Sequence, residues 1–141
     1  MIIGLLLAAG SSRRFAGDKL FEKIGEETVL MRSLDFLHSC KEVDAIYISA
    51  GKHNKKKIEA LVRAWAARLS KVRAVVLGGR SRLESVERLA KIATKGSHIS
   101  GGDFFVIHNA ANPYATEEEL KRCFKNFSSK ISGVAVGRPV T

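Results

Sequence analysis

Short apolar runs alternate with helix-periodic segments along nearly the whole chain, and this alternation constrains the fold more than any other feature. Residues 2–7, IIGLLL, form a continuous apolar run of the kind a strand needs when both its faces are buried. Residues 29–40 follow with Leu30, Leu34 and Leu37 at helical spacing. The β-rich run 45–51 (AIYISAG) precedes a second helical pattern over 56–69, and 73–79 (RAVVLGG) precedes a third over 82–94. A fourth strand lies within 103–113 (DFFVIHNAANP), and a helix is expected over 116–127, with Thr116 as cap and Glu117, Glu118 and Glu119 in the first turn. Residues 133–140 (GVAVGRPV) read as a fifth strand. Strand and helix alternating at these spacings imply right-handed crossovers: an α/β fold with a doubly wound, mostly parallel sheet and helices on both faces. No repeat, low-complexity tract or linker divides residues 1–141, so they read as one domain. Because no helix follows the last run, it is expected either at a sheet edge or at the cut end of a longer domain.

Composition narrows the class. Of the 141 residues, 45% are hydrophobic and 27% charged, which suits a folded chain and not a disordered one. The net charge is +10, and residues 52–73 hold eight cations against Glu59 alone. That balance favours anionic partners, nucleotides or phosphorylated metabolites first and nucleic acid second. The basic run itself reads as the solvated face of an amphipathic helix, since it lacks the aromatic interleaving that base stacking needs. Cys40 and Cys123 have neither C-x-x-C nor zinc spacing and are expected as reduced thiols in a cytoplasmic protein. The opening MIIGLLLAAG lacks a basic flank ahead of its apolar run, as a signal peptide would not, and no apolar run approaches membrane-spanning length.

Ligands of open parallel sheets bind beyond the carboxyl ends of the strands, and three of these ends are unusual. After Leu7 come Ala8, Ala9, Gly10, Ser11 and Ser12, small residues whose amides can approach an anion, then Arg14 and Lys19. Arg14 supplies a planar, fixed cation and Lys19 a movable one, both suited to polyphosphate oxygens. The loop is neither a Walker A motif nor G-x-G-x-x-G. At the third strand end, Gly78 and Gly79 lead through Arg80 into a helix where Ser81 or Ser85 can add a hydroxyl. At the fourth, His108 and Asn109 put polar groups where a metal or ribose could sit, although His108 alone reads as a structural histidine. No nucleophile–base arrangement points to a covalent intermediate. Cations beside a glycine loop point instead to phosphoryl or nucleotidyl transfer, a chemistry of positioning and charge neutralisation.

LAAGSSRRF followed by Lys19 and Gly25 resembles the nucleotidyltransferase signature L-A-A-G-x-[GS]-x-R-[MF]…K…G. With GGRSRLESV and VIHNAANP in the same order, the chain is similar over its whole length to the 2-C-methyl-D-erythritol 4-phosphate cytidylyltransferase family, whose relatives include molybdenum-cofactor guanylyltransferases. The resemblance implies transfer of CMP from CTP to a sugar-alcohol phosphate with Mg2+, releasing pyrophosphate, in isoprenoid precursor synthesis, and a homodimer. It implies that Arg14 and Lys19 stabilise the pentavalent phosphorus, and that Ala8, Ala9, Gly78, Gly79 and Ser85 line the cytosine pocket. Arg80 falls where the family is often acidic. Asn109 stands where the family has a magnesium-binding aspartate, and Asn112 where it has an arginine. Magnesium prefers anionic oxygen, so these departures leave two alternatives open: a catalytically impaired nucleotide-binding homologue, or a guanylyltransferase-like enzyme.

Overall fold

The computed structural model describes residues 1–10, 18–95, 100, 102–137 and 139–140. Its frame is a four-stranded parallel sheet of β1 (Ile2–Ala8), β4 (Ala45–Ala50), β5 (Val72–Leu77) and β6 (Phe104–Asn109), in the order β5-β4-β1-β6. A small antiparallel pair, β2 (Lys23–Ile24) and β3 (Glu27–Thr28), turns at Gly25, whose φ of 68° suits a residue without a Cβ. The helices are α1 (Val29–Ser39), α2 (Lys55–Ala64), α3 (Arg82–Ala93) and α4 (Glu117–Asn126). The chain runs outward from β1 through β4 to β5, then returns to the other side of β1 for β6. That reversal makes the sheet doubly wound, and the α/β expectation holds.

β1 sits at the centre because its side chains are apolar on both faces. Ile3 and Leu5 pack with Leu89 and Ala93 of α3 on one face, while Leu6 and Ala8 join Leu30, Leu34, Ile46 and Ile58 on the other. Fully burying one such leucine contributes roughly 1.5–3 kcal/mol, so these two clusters fix which helix covers which face. Local signals agree with the packing. Thr28 Oγ1 accepts from Met31 N at 3.2 Å to start α1. Thr116 and Glu119 form a reciprocal capping box on α4.

The structure departs from the periodicity in two places. α2 stops at Ala64 instead of running to residue 69. Leu69 stays buried because a turn preserves its helical bond, Leu69 N to Trp65 O at 2.8 Å, and Arg68 leaves the solvated face to pair with Asp35 and Glu27. The expected fifth strand over 133–140 does not form among the described residues. Gly133, Gly137 and Pro139 are poor strand residues, and among the described residues β6 ladders with β1 alone, so this segment finds no ladder partner there. Instead, residues 132–137 line an apolar groove with β6 and α4.

Candidate functional site

The four parallel strands end on one edge, at Ala8, Ala50, Leu77 and Asn109. Just past these ends the backbone is tied across: Gly78 N donates to Ala50 O at 2.9 Å, and Ala110 N to Leu7 O at 3.0 Å. Gly78 permits the closest approach. A Cβ there would fall 2.5 Å from Ala9 Cβ and 2.9 Å from Ser85 Oγ, contacts that no alanine could make without moving the backbone. The structure thus brings together Ala8, Ala9, Gly78, Gly79 and Ser85 from two distant parts of the sequence. Gly10 differs in that no atom of the described residues lies within 4 Å of its would-be Cβ.

The turn from β5 into α3 is braced by its own side chains. Ser85 Oγ accepts from Gly79 N at 3.0 Å and donates to Ser81 O at 3.0 Å. Ser81 Oγ caps α3 by accepting from Glu84 N at 3.1 Å. Glu84 accepts from Arg80 N at 2.8 Å and from Arg88, and Arg88 also donates to Gly78 O at 3.0 Å. The Arg80 amide, then the Arg88 guanidinium, hold the Glu84 carboxyl below the usual carboxylate range. The hydroxyls of Ser81 and Ser85 thus brace the turn, whose backbone is lined by small residues. Glu84 and Arg88 were not apparent as candidates, although S-x-x-E (Ser81 to Glu84) is a capping-box pattern and Arg88 follows Glu84 by four residues.

Lys19 opens a one-turn 3-10 helix, Lys19–Phe21, capped by Asp18 and anchored by buried Leu20. Ser11, Ser12 and Arg14 lie outside the described residues. At the other flank of β1, Asn109 pairs in register with Leu7. Its Oδ1 accepts from Ala111 N at 3.0 Å, a local turn. His108 is buried against the Phe36 ring and donates from Nε2 to Asn112 O at 3.0 Å. Burial, with Arg82 adding to it, lowers its pKa despite that bond. Ser33 Oγ reaches from α1 to Ala110 O and Asn112 O, at 2.8 and 3.1 Å. His108 and Ser33 thus shape the turn that carries Asn109 and Asn112, which supports the structural reading of His108.

Among the described residues, the oxygens nearest this edge are already hydrogen-bonded. Asn109 offers a neutral oxygen already accepting from an amide, and Glu84 and Glu119 are bound to the amides of Arg80 and Thr116. One cluster of potential ligand atoms occurs among the described residues, Cys40, Glu42 and Glu117. Burial and the bond to Glu42 push the Cys40 thiol up to about 11, and Glu117 is paired with Lys121, so that cluster is a protonated thiol between carboxylates. No helix among the described residues is long and apolar enough to cross a membrane.

The sequence profile of the family described as 2-C-methyl-D-erythritol 4-phosphate cytidylyltransferase matches residues 2–141. The protein of that name from Dictyoglomus thermophilum is 32% identical over 139 residues, 96% of this chain and 57% of the relative. The one from Clostridium tetani is 27% identical over 135 residues, 94% of this chain and 51% of the relative. The crystal structure of 4-diphosphocytidyl-2C-methyl-D-erythritol synthase from Anaerococcus prevotii superposes with a TM-score of 0.63 at 21% identity, over 88% of this chain and 49% of the other. That likeness shows the fold. The chain spans about half the length of the curated relatives it matches. Matched by the profile along nearly all its residues, the chain belongs to the 2-C-methyl-D-erythritol 4-phosphate cytidylyltransferase family.

Proposed function

We propose that this chain forms the nucleotide-binding part of a cytidylyltransferase, seating CTP over the ends of β1, β4 and β5. The junction of Ala9, Gly78 and Ser85 carries the reading, because it leaves a close-packed, small-residue surface at the sheet edge where ligands of such folds bind. In this reading Arg14 and Lys19 face the phosphates. A phosphate oxygen of 2-C-methyl-D-erythritol 4-phosphate attacks the α-phosphorus in line. The new P–O bond forms as the bond to the bridging oxygen breaks, and its electron pair leaves with pyrophosphate. Arg14 and Lys19 offset the charge that builds on the phosphorus oxygens, the term that dominates such transfers.

Asn109 favours a second reading, a homologue that binds the nucleotide and transfers it poorly. Its oxygen is neutral and engaged by Ala111. The test is pyrophosphate release from CTP, magnesium and 2-C-methyl-D-erythritol 4-phosphate, for this chain and for Asn109→Asp, with GTP as a parallel substrate. Release with CTP supports the transferase. CTP binding without release in either protein supports the second reading, and a preference for GTP overturns the cytidylyl assignment.

A further inference from the structure

Asn54 occupies the N-cap of α2, a position where asparagine usually bonds to the first helical amides. Here its side chain makes no such bond. It is only 1% exposed and turns across the sheet instead: Nδ2 donates to Ala8 O at 3.0 Å, and Oδ1 accepts from Gly51 N at 2.9 Å. Its own N–H donates to Gly51 O at 3.2 Å. The β1–β4 register ends at Ala8 opposite Ala50. Beyond their own last pairs, β1 and β6 are joined backbone to backbone, as are β4 and β5. Between β1 and β4 the equivalent tie is a side chain.

We infer that Asn54 is a positioning residue for nucleotide binding: by holding the Ala8 carbonyl to Gly51, it sets the direction in which Ala9 and Gly10 leave β1. The inference rests on the nucleotide reading above. The tie needs a donor and an acceptor on one short side chain. An ionised aspartate of the same shape can accept from Gly51 N but sets a negative oxygen against the Ala8 carbonyl; protonated, it can donate again. Leucine keeps the volume and loses both bonds. Aspartate is also a good N-cap, so Asn54→Asp can hold α2 while misdirecting β1, which separates positioning from stability.

The experiment measures CTP affinity by calorimetry at pH 5 and pH 8, with thermal melts, for wild type, Asn54→Asp and Asn54→Leu. Each variant is taken as a ratio to wild type at the same pH, so that contributions common to the three proteins, including those of the nucleotide and of the neighbouring Lys52, His53 and Lys55, divide out. Because burial at this 1% exposed position raises a carboxyl's pKa from about 3.9, the expected result is a roughly tenfold deficit for Asn54→Asp at pH 8 that narrows towards pH 5, and a comparable deficit for Asn54→Leu at both values. If Asn54→Leu does not fold, the pH dependence of the Asn54→Asp ratio decides alone. A wild type that binds CTP while Asn54→Asp binds it equally well at pH 8, or with a deficit that does not change with pH, overturns the positioning role. A wild type that binds no CTP overturns the nucleotide reading and this inference with it.

Discussion

On one side of β1, the ends of β4 and β5 are locked to it by Gly78, Asn54 and the Ser81–Glu84–Arg88 brace, with no room for one added carbon at Gly78. On the other, β6 leaves Phe105 and Ile107 at 38% and 47% exposure, and its outer edge has no ladder partner among the described residues. A groove of ≈ 1340 Å³ runs there, lined by β6, α4 and residues 132–137. The β6 flank keeps its shape through a few side-chain ties, Ser33, His108 and Thr116. The close-packed side is the one on which the nucleotide reading rests, and the other side carries Asn109 and Asn112.

The strongest way to break this contrast is Gly78→Ala. Overpacking of this kind costs about 1–3 kcal/mol, and because the added carbon pushes on Ala9, CTP affinity is expected to fall at least tenfold. Gly133→Ala, with nothing within 4 Å of the new carbon, should change stability by less than ~0.5 kcal/mol and leave CTP binding unaltered. Denaturant melts and calorimetry on the pair check both. Equal effects of the two substitutions would erase the difference between the flanks.

On the β6 flank, Ser33→Ala removes the donor shared by two backbone carbonyls, at a cost of about 1–2 kcal/mol in denaturant melts. Thr116→Ala loses one half of the capping box and should cost about 1 kcal/mol by the same measurement, with no change in CTP affinity. The smallest effect is a pH slope. Burial holds the His108 pKa below 6.5, so the unfolded chain binds protons that the folded chain resists. Stability should therefore rise with pH through the interval from the lowered value up to 6.5 and be flat above it. His38 shifts in the same direction, for burial and then Lys71, so the part of the slope that His108→Gln removes belongs to His108. Melts from pH 5 to 8 measure it; an unchanged slope would contradict the burial assigned to this ring.

Much of the frame was legible because its signals are local. The apolar run of β1, the spacing of Leu30, Leu34 and Leu37, and the Thr116–Glu119 cap each state their element within a few residues. The failures required knowledge of a partner. Residues 133–140 mix Val134, Val136 and Val140 with strand-weakening Gly133, Gly137 and Pro139, and among the described residues β6 ladders with β1 and not with them. Asn54 hides within KHNKKK, where charge dominates the pattern, and its role depends on Ala8, 46 residues away. Ser33 looks like an ordinary helix serine until its contacts at Ala110 and Asn112 appear, 77 and 79 residues on. The residues at the strand ends could be picked out from sequence. The bonds that hold them could not, because they join segments that only the fold makes adjacent.

Hydrogen–deuterium exchange with and without CTP locates the bound nucleotide. Slowed exchange is expected at the amides of residues 8–10 and 78–80, with residues 104–107 and 132–137 unaffected. Protection confined to the β6 flank, or no protection anywhere at saturating CTP, would contradict the nucleotide reading.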